Sequence, residues 1–148
     1  MGTLTIPSSG SMYLDANPVI YSVEWHAVYG PLLLPVWQAV KANAALEIVS
    51  SELTLLETLI GPYKSGNVVL AQAYEQLFQQ PQTRLIPITQ PSLREAAQLR
   101  ATTRLKTIDA LHAATARLAG CVLFITNDLG FRKVPGLPVV ILDDLLVP

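Results

Sequence analysis

The 148-residue chain is 51% apolar and 14% charged, with a net charge of −1 and a mean hydropathy of +0.39. That excludes an intrinsically disordered chain, and its one cysteine, Cys121, excludes a disulfide or Cys-built metal scaffold and fits a reducing compartment. The apolar stretch Trp25 to Val40 is interrupted by His26, Gly30, Pro31, Pro35 and Gln38, short of the roughly 20 apolar residues of a spanning helix.

Residues 1–11 are small, polar and free of positive charge and hydrophobic block. They read as a flexible leader rather than a secretory signal, with one domain over 12–148 in the cytoplasm. Ser11 to Leu14 reads as a short buried strand ending at Asp15. Asn17-Pro18 predicts a helix capped by Asn17, and Gly30-Pro31 predicts its end. Pro31 to Ala45 has helical composition, Leu46 to Ser50 is strand-like, and Ser51 can cap a helix from Glu52 that stops at Gly61-Pro62. A helix over 65–80 follows, then a strand over 84–88 whose Pro87 points to a sheet edge. Helices over 92–102 and 108–119, the second capped by Thr107, lead to the strongest strand, Val122 to Thr126. Leu137 to Leu142 is the last strand.

Alternating strands and helices imply a parallel sheet buried on both faces, which also explains the high hydropathy. Ligands of such sheets bind beyond the carboxyl ends of the strands. Asp15, Asn127 and Asp128 follow strands, Asp109 begins a helix, and Glu57 lies on a helix among leucines. Taken singly, each is an ordinary turn, cap or helix-dipole residue. Together they make a hard-oxygen set at one rim, suited to Mg²⁺ or Mn²⁺ rather than zinc. Asp143 and Asp144 also follow a strand, the last one.

Four stretches, Met12-Tyr-Leu-Asp15-Ala-Asn17, Ser51-Glu-Leu-Thr54-Leu-Leu-Glu57, Leu105-Lys-Thr-Ile-Asp109-Ala-Leu-His112-Ala-Ala-Thr115-Ala, and Phe124-Ile-Thr126-Asn127-Asp128 through Leu137, resemble the PIN-domain ribonucleases. The resemblance is greatest to VapC-type toxins of toxin–antitoxin pairs. It implies a PIN-like three-layer α/β/α fold with a central parallel sheet, and a Mg²⁺- or Mn²⁺-dependent endoribonuclease. It also implies a protein antitoxin and a homodimer, with no membrane partner. By position, Asp15, Glu57, Asp109 and Asp128 would be the acidic, metal-holding set, with Asn127 an alternative fourth member. Asn17, Thr126 and Asn127 would be its polar neighbours, Glu52 would be exposed, and Asp143 and Asp144, without a counterpart in the set, would be terminal cap residues. A cation bound there would activate water for attack on an RNA phosphodiester.

Independently of the resemblance, residues 84–117 carry six bases against two acids. Arg104, Lys106 and, further on, Arg132 are the candidate RNA contacts. His112, three residues after Asp109 on the same helix face, is read as bonded to a neighbouring carbonyl or carboxylate, with substrate contact the sharper alternative. Trp25, Tyr29, Leu32, Leu33, Leu34 and Trp37 are either helix packing or a groove for an antitoxin segment or a second copy. Two other readings stay open: a receiver-like or haloacid-dehalogenase-like phosphotransfer domain using Asp15, and a non-catalytic binding module.

Overall fold

The computed structural model describes residues 2–147; Met1 and Pro148, the outer ends of the expected leader and domain, lie outside the described residues. In chain order the elements are β1 (Gly10–Leu14), α1 (Ala16–Val23), α2 (Tyr29–Ala42), β2 (Leu46–Ser51), α3 (Leu53–Ser65), α4 (Val68–Phe78), β3 (Thr83–Ile86), α5 (Gln90–Thr102), α6 (Thr107–Leu118), β4 (Leu123–Thr126) and β5 (Val139–Ile141). Short 3₁₀ helices cover Leu129–Lys133 and Leu142–Leu146. All strand pairings are parallel, in the order β3-β2-β1-β4-β5.

Two-sided burial follows from the pleat, which sends alternate side chains to opposite faces. Met12, Leu14, Ile48 and Ile125 join Leu33, Val36 and Tyr74 in one core, the face covered by α1 to α4. Tyr13, Val49 and Phe124 join Leu99, Ala110 and Phe131 in the other, the face covered by α5 and α6. The three-layer α/β/α arrangement expected from the strand–helix alternation is therefore present. Its centre is the aromatic stack of Tyr13 on Phe124, with ring centroids 4.9 Å apart. The edge position that Pro87 pointed to is that of β3.

Several local expectations need correction. Asn17 does not cap α1: the cap is Asp15, in extended conformation, and Asn17 is an exposed residue inside the helix. Gly30-Pro31 does not break the chain but forms the first turn of α2, where a proline's missing N–H costs nothing. The break falls earlier, at Trp25, whose φ of 53° is the left-handed conformation that side chains normally avoid. Gly61-Pro62 does not end α3. Pro62 is buried within the helix, and the stop comes at Gly66, whose φ of 69° suits glycine. Ser51 does accept a bond from the Leu53 N–H, but Thr107 starts α6 rather than capping it and accepts from Arg100 instead. The leader lies against the domain. Leu4 and Ile6 pack on the α1–α4 core, and the Gly2 N–H donates to the Leu145 carbonyl at 2.7 Å.

Candidate metal centre at the carboxyl edge of the sheet

The chain turns from β1 toward β2 and β3 on one side, then crosses through α5 and α6 to β4 on the other. The crevice between the carboxyl ends of β1 and β4 is thus the topological switch point, where open parallel sheets bind ligands. Asp15 follows β1 there, and Thr126 closes β4 opposite it. The Thr126 hydroxyl donates to Asp15 Oδ2 at 2.7 Å and accepts the Asp128 N–H at 3.1 Å. One buried hydroxyl thereby fixes both loop ends.

Glu57 reaches the same crevice from α3. Ser50, near the end of β2, donates to the Leu14 carbonyl at 2.5 Å and bonds the Thr54 hydroxyl at 2.6 Å. These bonds tie the start of α3 to the end of β1, one helical turn before Glu57. Asp109 enters from the first turn of α6, and Asp128 from the loop after β4, where its Oδ1 accepts the Gly130 N–H at 2.8 Å. His112 is 1% exposed, its Nε2 2.6 Å from Glu57 Oε1 and its Nδ1 2.6 Å from the Tyr13 hydroxyl.

Burial and neighbouring charges shift two of these carboxyls. Burial pushes the Asp15 carboxyl up to about 7. The Thr126 bond opposes that rise, and the charges of Glu57 and Asp109 add to it. Asp109 is also raised, first by burial and then by Asp128 and Glu57, against Lys106. Asp15 Oδ1 is buried with no hydrogen-bond partner. An orphaned carboxylate oxygen among like charges fits a cation. Every acidic donor is a hard oxygen, which matches Mg²⁺ or Mn²⁺. Among the described residues no three His, Cys, Asp or Glu side chains form a ready ligand cluster. A cation here would complete its shell with water or phosphate oxygen, as Mg²⁺ commonly does.

The other expected residues divide. Asn17 is exposed on the first turn of α1, beside Asp15. Asn127 does not face the acids with its carbonyl oxygen, which accepts the Asp143 N–H at 2.9 Å. Asp143 and Asp144 lie in the first turn of the last 3₁₀ helix and make no cap bond. Asp143 accepts from the Tyr29 hydroxyl, and Asp144 pairs with Arg132. Arg104 and Lys106 are exposed in and at the end of the α5–α6 connection, one turn from Asp109. Of the other bases in the segment, Arg84 pairs with Glu47 and Arg117 with Glu95, while Arg100 braces that connection through the Leu105 carbonyl and Thr107. Glu52 is exposed as expected. Burial raises the half-buried Cys121 thiol to about 11, so it supplies no thiolate nucleophile.

The open parallel sheet covered by helices on both faces makes the chain a three-layer α/β/α protein. Residues 12–137 match the family model described as PIN domain, and the chain belongs to that family. Similar solved structures include VapBC-1 from nontypeable Haemophilus influenzae, with a TM-score of 0.70 and 16% identity over 90% of this chain and 98% of that one. VapBC2 from Rickettsia felis bound to a promoter DNA fragment gives 0.68 and 19%, over 88% and 97%. A toxin–antitoxin complex from Klebsiella pneumoniae gives 0.66 and 24%, over 88% and 97%. No curated protein matches the chain.

Proposed function

We propose that the chain is a Mg²⁺- or Mn²⁺-dependent endoribonuclease and the toxin of a type II toxin–antitoxin pair. The observation that carries this reading is the buried, unpartnered Oδ1 of Asp15 in the acidic crevice. Membership in the PIN family and likeness to toxin–antitoxin structures support it.

Asp15, Glu57, Asp109 and Asp128 would hold the cation, which supplies Lewis-acid activation of water and neutralises charge on the phosphate. Thr126 keeps Asp15 Oδ2 oriented, leaving Oδ1 to the ligand. Asn17 lines the rim, and Asn127 supports it indirectly through the Asp143 backbone. Arg104 and Lys106 would take the RNA phosphates flanking the scissile one. Arg132 would join them by exchanging Asp144 for phosphate, since an exposed ion pair is weak. The test is cleavage of a synthetic RNA by the purified chain. Cutting with Mg²⁺ that stops with EDTA and returns with Mn²⁺ is the expected result, and cutting that ignores EDTA contradicts it.

The antitoxin reading rests on a groove of about 420 Å³ between α1, α2 and α4, lined by Trp25, Leu34, Trp37, Ala73 and Leu77 among others. Trp37 is tied to Ser22 at 2.8 Å, while Trp25 and Leu34 are 53% and 42% exposed, so packing and groove coexist here. A hydrophobic antitoxin segment would fill it. Leu34→Glu should abolish co-purification with the antitoxin while leaving RNA cleavage intact; retained co-purification would place the antitoxin elsewhere. The homodimer reading rests on a second apolar surface, Leu56, Ile60 and Tyr63 of α3 continued by Val68 of α4.

A further inference from the structure

The path Tyr13–His112–Glu57 crosses three elements that the chain brings together only on folding. Tyr13 belongs to β1, His112 to α6 and Glu57 to α3. Tyr13 is 0% exposed and His112 1%, whereas the Glu57 side chain is 23% exposed toward the crevice. Both links are 2.6 Å. The ring is pinned by more than hydrogen bonds, since Tyr13 meets it edge-on at 5.8 Å and stacks flat on Phe124 behind. The Glu57 carboxylate only accepts, so the ring proton at that link sits on Nε2. A neutral imidazole protonated there presents Nδ1 as an acceptor, and the Tyr13 hydroxyl, with no other side-chain partner among the described residues, lies 2.6 Å away to fill it.

We infer that His112, locked in the Nε2–H tautomer by Tyr13, is a positioning residue that holds one oxygen of Glu57 and leaves the other for the divalent cation. The inference deepens the proposed function and rests on its metal site. The bond to a carboxylate is the one expected from the sequence; the fold adds that this carboxylate is Glu57, brought in from another helix. The ring never reaches substrate; it acts through Glu57. Partners of this kind, one step behind a metal ligand, are worth about ten- to a hundredfold in metal affinity.

Two readouts test it on the full chain. The first is the ¹⁵N spectrum of the imidazoles in the metal-free protein. Wild type should show one ring with an unprotonated Nδ1 and a protonated Nε2. Tyr13→Phe, which keeps ring size and stacking, should average that signature toward a mixture of tautomers. An unchanged signature would overturn the lock. The second is Mn²⁺ affinity by calorimetry. His112→Leu should weaken binding at least tenfold, and Tyr13→Phe by a smaller factor. His112→Gln, whose amide can donate from near the Nε2 position, should restore affinity to within about threefold of wild type. Equal Mn²⁺ affinity in wild type, Tyr13→Phe and folded His112→Leu would overturn the positioning role while leaving the metal site standing. Failure of wild type itself to bind Mn²⁺ would overturn the metal site, and the inference with it.

Discussion

Asp15 is 6% exposed, with one oxygen bonded to Thr126 and the other to nothing, and this makes stability depend on pH. Its folded carboxyl lies at about 7, above an ordinary value of 3.8. Between those values the folded chain binds more protons than the unfolded one, so stability falls as pH rises from about 4 to about 7 and levels off above. Asp109, shifted the same way, adds to the slope. In EDTA, Asp15→Asn should melt several degrees above wild type at pH 7.5 and level with it near pH 4; thermal denaturation across that range checks this. A gap of the opposite sign at pH 7.5 would mean that Asp15 is stabilised in its charged form. At this scale Asp15, Asp109 and Asp128 stand out in the sequence because each follows a strand or opens a helix, and Glu57 because it lies among leucines. Which residues partner them does not show in the sequence. Tyr13 and His112 lie 99 residues apart, and only the folded sheet brings them into contact. Asn127 looked equivalent to its neighbours because sequence does not say which way a loop amide turns.

Helix ends decide how α3 and α4 meet. Gly66 ends the first in left-handed conformation, and the Asn67 side chain caps the second by accepting the Leu70 N–H at 3.0 Å. Asn67→Ala removes that acceptor and should cost about 1 kcal/mol, read as a lower urea midpoint with unchanged slope. No change would mean that water satisfies the Leu70 amide equally well. The sequence signal here was present but outweighed, because Gly61-Pro62 is the stronger-looking stop. Burial of Pro62 and Leu59 carries the helix through it. The same misreading occurs at Gly30-Pro31, where the bend is set by Trp25 packing over Gly30. A side chain at Gly30 would meet the Trp25 ring at about 3.0 Å, a contact that no local pattern announces.

The whole molecule joins an apolar body to a small charged rim. The fold class was readable from strand–helix alternation, because both faces of each central strand are apolar and only an α/β/α sandwich buries both. The exposed apolar surfaces were legible only as an excess of hydrophobic residues, since sequence does not show which ones a single chain leaves uncovered. Trp25 and Leu34 line one such surface, and Leu56, Ile60 and Tyr63 another. Among the described residues no helix is long and apolar enough to cross a membrane. The sheet sets Asp15 at its switch point, and the proposed nuclease activity depends on Glu57, Asp109 and Asp128 joining it there from three further segments. The most direct measurement is the rate of RNA cleavage in Mg²⁺ by wild type and by Asp15→Asn, both verified as folded. The variant should lose more than about a hundredfold, beyond what a residue one step behind a metal ligand contributes. Cleavage by Asp15→Asn at the wild-type rate would contradict it.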